Sequence, residues 1–176
     1  MNAHCRFVLA LVLASLAAAC SGSRSTGSAA GGTASLSVDG TTYHVHDVSM
    51  TIELGEQAWF RIDGEPVGDP HADCVPGLGA GLGLYGDLPD SVRQPIDLGG
   101  KRLRVDFTGD GDDANFCFVG MGGLAGAEDA WVTIESVNGD RVAFSMSGTF
   151  RVYDENGDGP VRTAQASGTA LLAGAS

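Results

Sequence analysis

Between residues 36 and 54 the chain alternates apolar and polar residues with a period of two, which is the pattern of half-buried β-strands. Residues 36–38 and 43–45 carry this alternation on either side of Asp39-Gly40. An Asp-Gly pair between two such runs favours a tight hairpin turn with positive φ angles. The sequence therefore predicts a β-hairpin at the start of the folded region.

Residues 48–54 continue the alternation, but their phase is shifted by one position relative to Val45. An extra residue in one strand of an antiparallel pair produces such a shift. We therefore expect a β-bulge or bend near His46-Asp47.

The last third of the chain contains the strongest hairpin pattern. Residues 131–137 lead into Asn138-Gly139, and residues 142–152 return with a period of two. Asn-Gly between alternating runs is typical of a type I′ turn. Residues 161–172 alternate small and polar side chains and are predicted to form the closing strand.

Shorter apolar runs predict further strands at 58–62, ended by Asp63-Gly64, and at 103–107 and 116–119. The 27 glycines and 6 prolines disfavour long helices. We predict an all-β fold, either an antiparallel β-sandwich or a partly closed β-barrel of about eight strands.

The alternation lapses between residues 64 and 100, where glycine and proline are frequent. We interpret this segment as a long crossover between sheets, with one helical turn at residues 91–93. The alternative is a functional loop, because long ordered loops often carry function.

The N-terminus has the features of an export signal. A single basic residue, Arg6, precedes an apolar run at 7–19, which is too short to span a bilayer as a helix. Small residues at Ala17, Ala18 and Ala19 then lead directly into Cys20.

This arrangement resembles the lipobox of bacterial lipoproteins, although Leu16 lies one position further from the cysteine than in the usual pattern. The resemblance implies a diacylglycerol on the Cys20 thiol and cleavage just before it. The protein would then be exported and held at the bacterial cell membrane or outer membrane through its N-terminal lipid. The alternative is ordinary signal cleavage, which would release the protein without an anchor.

The segment after Cys20 lacks aromatic and large apolar side chains up to Ser35, so it cannot bury enough surface to become ordered by itself. We predict a signal peptide at 1–19, a flexible Ser/Gly/Thr tether at 20–35 and an all-β domain at 36–174. This layout is similar to that of mycobacterial surface antigens and of other small bacterial lipoproteins.

The chain has 4 cysteines. Cys5 lies in the signal peptide and Cys20 would carry the lipid, which leaves Cys74 and Cys117 for the domain. An exported protein meets an oxidising compartment, so we expect a disulfide between these two. Metal ligation or a reactive thiol are the alternatives.

The whole chain has 10 basic and 22 acidic side chains, a formal net charge of -12. Such a charge disfavours binding to nucleic acid, which requires clusters of Lys and Arg. Cation binding is compatible with this charge but is not implied by it.

Two motifs could hold a metal ion. Asp154, Asn156 and Asp158 match the first half of a calcium loop, but Gln165 stands where an EF-hand has its bidentate Glu. An acidic hairpin turn without an ion is the simpler interpretation, so no cofactor is predicted and calcium remains an option.

His44 and His46 share one strand face and could bind a transition metal with help from the region of Asp69, His71 and Asp73. Because Tyr43 and Val45 occupy the core face, we expect both histidines to face solvent.

The sequence contains no catalytic motif that we could assign. Ser145-Met146-Ser147-Gly148 lies within a predicted strand, not on the strand-to-helix turn of G-x-S-x-G hydrolases. We therefore expect a non-catalytic binding or structural module of the cell envelope whose ligand is an envelope protein or a small molecule. The alternative is a calcium- or transition-metal-binding lipoprotein, either a binding protein or an enzyme, that uses the acidic turns or the His pair.

Overall fold

The structure is a computed structural model that describes residues 31–66, 79–106, 116–118, 125–152 and 159–173. Within these residues the chain forms nine strands and one short 3-10 helix, η1. In chain order these elements are β1 Gly32–Val38, β2 Thr41–Glu53, β3 Trp59–Pro66, β4 Gly79–Asp87, η1 Pro95–Leu98, β5 Arg102–Arg104, β6 Phe116–Phe118, β7 Ala125–Asn138, β8 Arg141–Val152 and β9 Val161–Ala173.

The strands form one nearly closed, barrel-like sheet in the order β5-β7-β8-β9-β1-β2-β3-β4-β6. Eight of the nine are linked by antiparallel pairing, and β6 pairs in parallel with the start of β4. The chain just after β5 approaches β4, where the Asp106 N–H donates to the Tyr85 carbonyl at 2.9 Å. The prediction of an all-β fold of about eight strands is confirmed, with barrel closure rather than two stacked sheets.

The core lies inside the barrel, because alternate residues of each strand point inward. The largest fully buried side chains include Leu36, Met50, Phe60, Phe144 and Phe150. Full burial of such a side chain contributes about 1.5–3 kcal/mol, so this core is the main source of stability. No helix among the described residues is long and apolar enough to cross a membrane.

The first hairpin and the bulge are confirmed. Asp39 and Gly40 both have positive φ, 46° and 86°, as a type I′ turn requires. The β2–β3 register shifts between His46 and Ser49, and Asp47 has a φ of 52°. The change of phase in the sequence therefore marks a β-bulge.

The second hairpin is confirmed, but its turn lies one residue later than predicted. Asn138 pairs with Arg141, so Gly139 and Asp140 are the central residues. Positive φ is found at Gly139, at 63°, and not at Asn138. This is the arrangement of a type II′ turn rather than type I′, because glycine occupies the first central position.

The prediction that a strand ends at Asp63-Gly64 is wrong, since β3 continues to Pro66. Gly64 faces the core, where an added Cβ would lie 2.6 Å from a methyl group of Val45 and 2.8 Å from one of Val48. Glycine is therefore required within this strand by close packing and does not mark its end.

The interpretation of residues 64–100 as one long crossover is also wrong in part. Residues 79–87 form β4, in which Leu82 and Leu84 are buried at a period of two. The helical turn lies at Pro95–Leu98 rather than at 91–93, and the buried side chains of Val92 and Leu98 anchor this segment.

The first strand begins at Gly32, within the range 20–35 that the sequence assigns to the tether. Ala34 is buried, whereas Thr33 and Ser35 point outward. The small inward side chain explains why a Ser/Thr/Gly segment can extend the strand.

Candidate functional site: the hydroxyl face and its neighbours

The outward side chains of β1, β9, β8 and β7 form a surface that is rich in hydroxyl groups, which we call the hydroxyl face. Two rows of directly opposed residues cross these four strands. The first row is Ser35, Ser167, Ser145 and Thr133, and the second is Ser37, Gln165, Ser147 and Trp131. These two rows therefore carry hydroxyl, amide and indole groups at strand spacing, and neither row contains a carboxylate.

The hydroxyl face follows from the same alternation that builds the core. Leu36, Ala166, Met146 and Val132 lie between the two rows and are buried inside the barrel. Because successive side chains of a strand point to opposite sides, their neighbours must face outward. The serines on both sides of these residues are thus placed on the outer surface.

An open groove of about 480 Å³ runs over this face. Its lining comprises the two rows together with Arg102 and the chain at Met146 and Ala166. Short serine side chains leave space over the outer surface of the sheet, whereas the larger Trp131 and Arg102 stand at one end. The result is a shallow polar depression beside an aromatic ring.

Trp131 is held in position from two sides. Its Nε1–H donates to Asp129 Oδ1 at 2.8 Å, and the Arg102 guanidinium carbon lies 4.4 Å from the centre of its ring. Arg102 is the residue opposite Thr133, so it reaches Trp131 along the diagonal of the β5–β7 pair. This distance is within the range of a cation–π contact.

Arg102 has no carboxylate partner among the described residues, in contrast to the nearby Arg104. Arg104 forms an ion pair with Asp106 at 3.1 Å. Four of the ten basic side chains of the chain lie between 93 and 104, with Asp97 as the single acidic residue in that range. Arg102 is the only one of these four that lines the groove.

A second group of polar side chains lies at the β2 bulge. Ligand atoms of His46, Asp47 and Glu65 all lie within 4.8 Å of one another, and His46 Nδ1 is 2.8 Å from Asp47 Oδ2. His46 is the residue opposite Glu65 in the β2–β3 pair. The bulge therefore brings together a nitrogen and two carboxylates that could contact one cation.

The prediction that His44 and His46 face solvent agrees with the structure, since His44 is exposed and His46 is half-buried. The region of Asp69, His71 and Asp73, which was expected to help them bind a metal, lies outside the described residues. His44 is opposite Ser35, at the edge of the hydroxyl face, while His46 joins Asp47 and Glu65. Glu65 was missed because only the bulge register brings it beside His46.

The other predicted site residues lie outside the described part of the chain. They are Cys20, Cys74, Asp69, His71, Asp73, Asp154, Asn156 and Asp158. Cys117 lies in β6, opposite Ala80 of β4, and only its backbone is described.

The sequence did contain a sign of the hydroxyl face. Residues 35–37, 145–147 and 165–169 each carry polar side chains at alternate positions. What the sequence lacked was the strand order, which places these three segments side by side.

Comparisons with known proteins add no relative. No family model matches the chain, and neither a curated protein nor a solved structure matches it.

Proposed function

We propose that this protein is an exported, lipid-anchored module of the bacterial cell envelope that binds a partner through its hydroxyl face and performs no catalysis. The lipobox-like sequence ending at Cys20 supports the anchor. The Ser/Gly/Thr segment after it supports a tether of up to about 3.3–3.6 Å per residue between the membrane and the barrel.

The groove beside Trp131 is the observation that carries the binding role. The protein has a net charge of -12, yet no carboxylate side chain lines this groove. Most of the groove is lined by groups that can both donate and accept hydrogen bonds. These groups lie on paired strands of a rigid sheet, which limits the entropy that binding would cost.

A disulfide between Cys74 and Cys117 is part of this proposal. Cys117 is opposite Ala80 in the parallel β4–β6 pair, and Cys74 precedes Ala80 by only six positions. This connection is short enough to permit a bridge that would fasten β6 to the segment before β4.

Membrane fractionation of variants tests the anchor. In the bacterial host, Cys20→Ser should move the protein from the membrane fraction to the soluble extracytoplasmic fraction, because the acyl chains are lost. Cys5→Ser is the matched control, since this cysteine lies in the predicted signal peptide, and it should leave the protein in the membrane. Membrane retention of Cys20→Ser at the level of the unchanged protein would contradict the proposal.

A metal-dependent function is the second candidate, and the cluster of His46, Asp47 and Glu65 favours it. A calcium or zinc ion bound there would raise the melting temperature by mass action. We expect EDTA, calcium and zinc to leave the melting temperature unchanged if the protein is a metal-independent binding module. A shift that Glu65→Gln abolishes would instead establish a metal site at the bulge.

A further inference from the structure

The side chains that line the groove indicate which class of ligand it can bind. The inference drawn from them rests on the binding role proposed above. The backbone groups of β1, β9, β8 and β7 are largely occupied by pairing between the strands. Recognition must therefore come from side chains, and here these are short hydroxyl groups and one amide. Such a lining matches a ligand that itself carries many hydroxyl or amide groups.

The groove does not have the composition of a protein-docking surface. The centre of such interfaces is typically apolar and aromatic, whereas here Ser145, Ser147 and Ser167 occupy the middle of the face. Serines have short side chains and lose little conformational freedom when they become ordered. A polyhydroxylated ligand can exchange its hydrogen bonds to water for hydrogen bonds to this surface.

Arg102 adds a specific preference for an acidic group. Its guanidinium lies over the Trp131 ring at 4.4 Å, and it forms no ion pair with a described residue. A planar guanidinium offers paired N–H donors that match a carboxylate. The contact with the indole restricts the side chain before the ligand arrives.

The volume of the groove is also large enough for a small-molecule ligand. A volume of about 480 Å³ lies within the range of about 300–1,000 Å³ that is typical of small-molecule sites. The groove is open along the strands, so a chain of linked units can pass through it without entering an enclosed cavity.

We propose that the hydroxyl face binds a saccharide that bears a carboxylate, with the sugar hydroxyls on the serine rows and the carboxylate on Arg102. Trp131 supports Arg102 and closes one end of the groove.

Two disaccharides that differ in one acidic group provide the test. N-acetylglucosaminyl-N-acetylmuramic acid carries a lactyl carboxylate, and N,N′-diacetylchitobiose lacks it. Calorimetric titration of the detergent-solubilised full-length protein should give a dissociation constant about tenfold or more lower for the acidic disaccharide, because one charge-assisted hydrogen-bonded contact is added.

Variants locate the site. Arg102→Gln should remove the difference between the two sugars, whereas Arg141→Gln, an exposed arginine outside the groove lining, should preserve it. Ser145→Phe should abolish binding of both sugars, because it fills the centre of the groove.

Fluorescence gives a second readout. The chain has 2 tryptophans, so Trp131 is the only one left after Trp59→Phe, and its emission should change on binding. Failure of both sugars to bind, or equal affinity for the two, would overturn the inference. The proposed anchor would survive either result, because the fractionation of Cys20→Ser is independent of ligand.

Discussion

Replacing Gly168 by alanine tests the close approach of β9 to β1, on which the curvature of the barrel depends. Gly168 is the residue opposite Ala34 on one side and Phe144 on the other. A Cβ at this position would overlap the Thr33 carbonyl oxygen and would lie 2.5 Å from Ala34 Cα and 2.6 Å from Ala34 Cβ. Two of these three atoms belong to the backbone, so no side-chain rotation can relieve the overlap.

The expected loss in the free energy of unfolding is therefore at the upper end of the range for overpacked cores. Added methyl groups in tightly packed interiors typically cost about 1–3 kcal/mol, and we expect about 3 kcal/mol for Gly168→Ala. In a domain of this size such a loss lowers the melting temperature by about 10 °C. Gly148 is in an equivalent position, since its Cβ would overlap Ala130 of β7 and lie 2.6 Å from the Asp129 carbonyl oxygen.

Thermal unfolding of the full-length protein measures the effect. Gly55→Ala is the matched control, because nothing lies within 4 Å of its added Cβ and its φ is not in the left-handed region. It should be neutral or stabilising by up to about 1 kcal/mol, through lower entropy of the unfolded chain. Equal melting temperatures for Gly168→Ala and Gly55→Ala would refute the close approach of the two strands.

Four further predictions concern charged and sulfur groups. Hydrogen bonds from the Thr163 backbone and Arg162 lower the pKa of Asp39 below 3.8, whereas burial raises the pKa of Asp63 above 3.8 despite its hydrogen bond from Arg61. In a carboxyl NMR titration Asp63 should therefore protonate at higher pH than Asp39, and the reverse order would contradict these environments. The stabilising contribution of Asp39 should be present above pH 3.8 and lost as the pH falls through its lowered pKa, because the favourable partner of Arg162 is the carboxylate. Asp39→Ala should lower the melting temperature more than Asp39→Asn, since Asn tolerates the positive φ and retains a hydrogen-bond acceptor; equal losses would show that neither feature matters. Thiol titration of the unfolded, unreduced protein should detect neither Cys74 nor Cys117, and reduction should cost about 3–4 kcal/mol of stability; two reactive thiols before reduction would exclude the disulfide.

The sequence was sufficient to predict the elements in which one face alternates clearly. Residues 36–45 and 131–152 carry both the period of two and a turn dipeptide, and both form hairpins. The bulge at His46-Asp47 was predictable as well, because a one-residue insertion reverses the phase of every later side chain.

Glycine residues caused the main errors in the predicted strands. In β4 glycine precedes both Leu82 and Leu84, so no polar side chain marks the alternation. The segment therefore has the composition of a loop, although it pairs along β3. Gly64 has the same effect in β3. Gly64 of β3 and Gly86 of β4 are required by close packing, against Val45 and Val48 for Gly64 and against Phe60 and Arg104 for Gly86. This packing depends on partners that are distant in the sequence.

Strand order also limited the prediction of the site. The outward serines of β1, β8 and β9 are visible as a pattern within each segment, but β1 lies next to β9 at the far end of the domain sequence. The contact of Arg102 with Trp131 depends in the same way on the pairing of β5 with β7. Both features require long-range pairing that local periodicity does not encode.

Lipid attachment at Cys20 is the claim on which the proposed function depends. Intact mass spectrometry of the protein purified from its bacterial host measures it most directly. We predict a chain that begins at Cys20 and carries the additional mass of a diacylglycerol, with or without a further acyl group. A mature chain with an unmodified Cys20, or one that still begins at Met1, would contradict the claim.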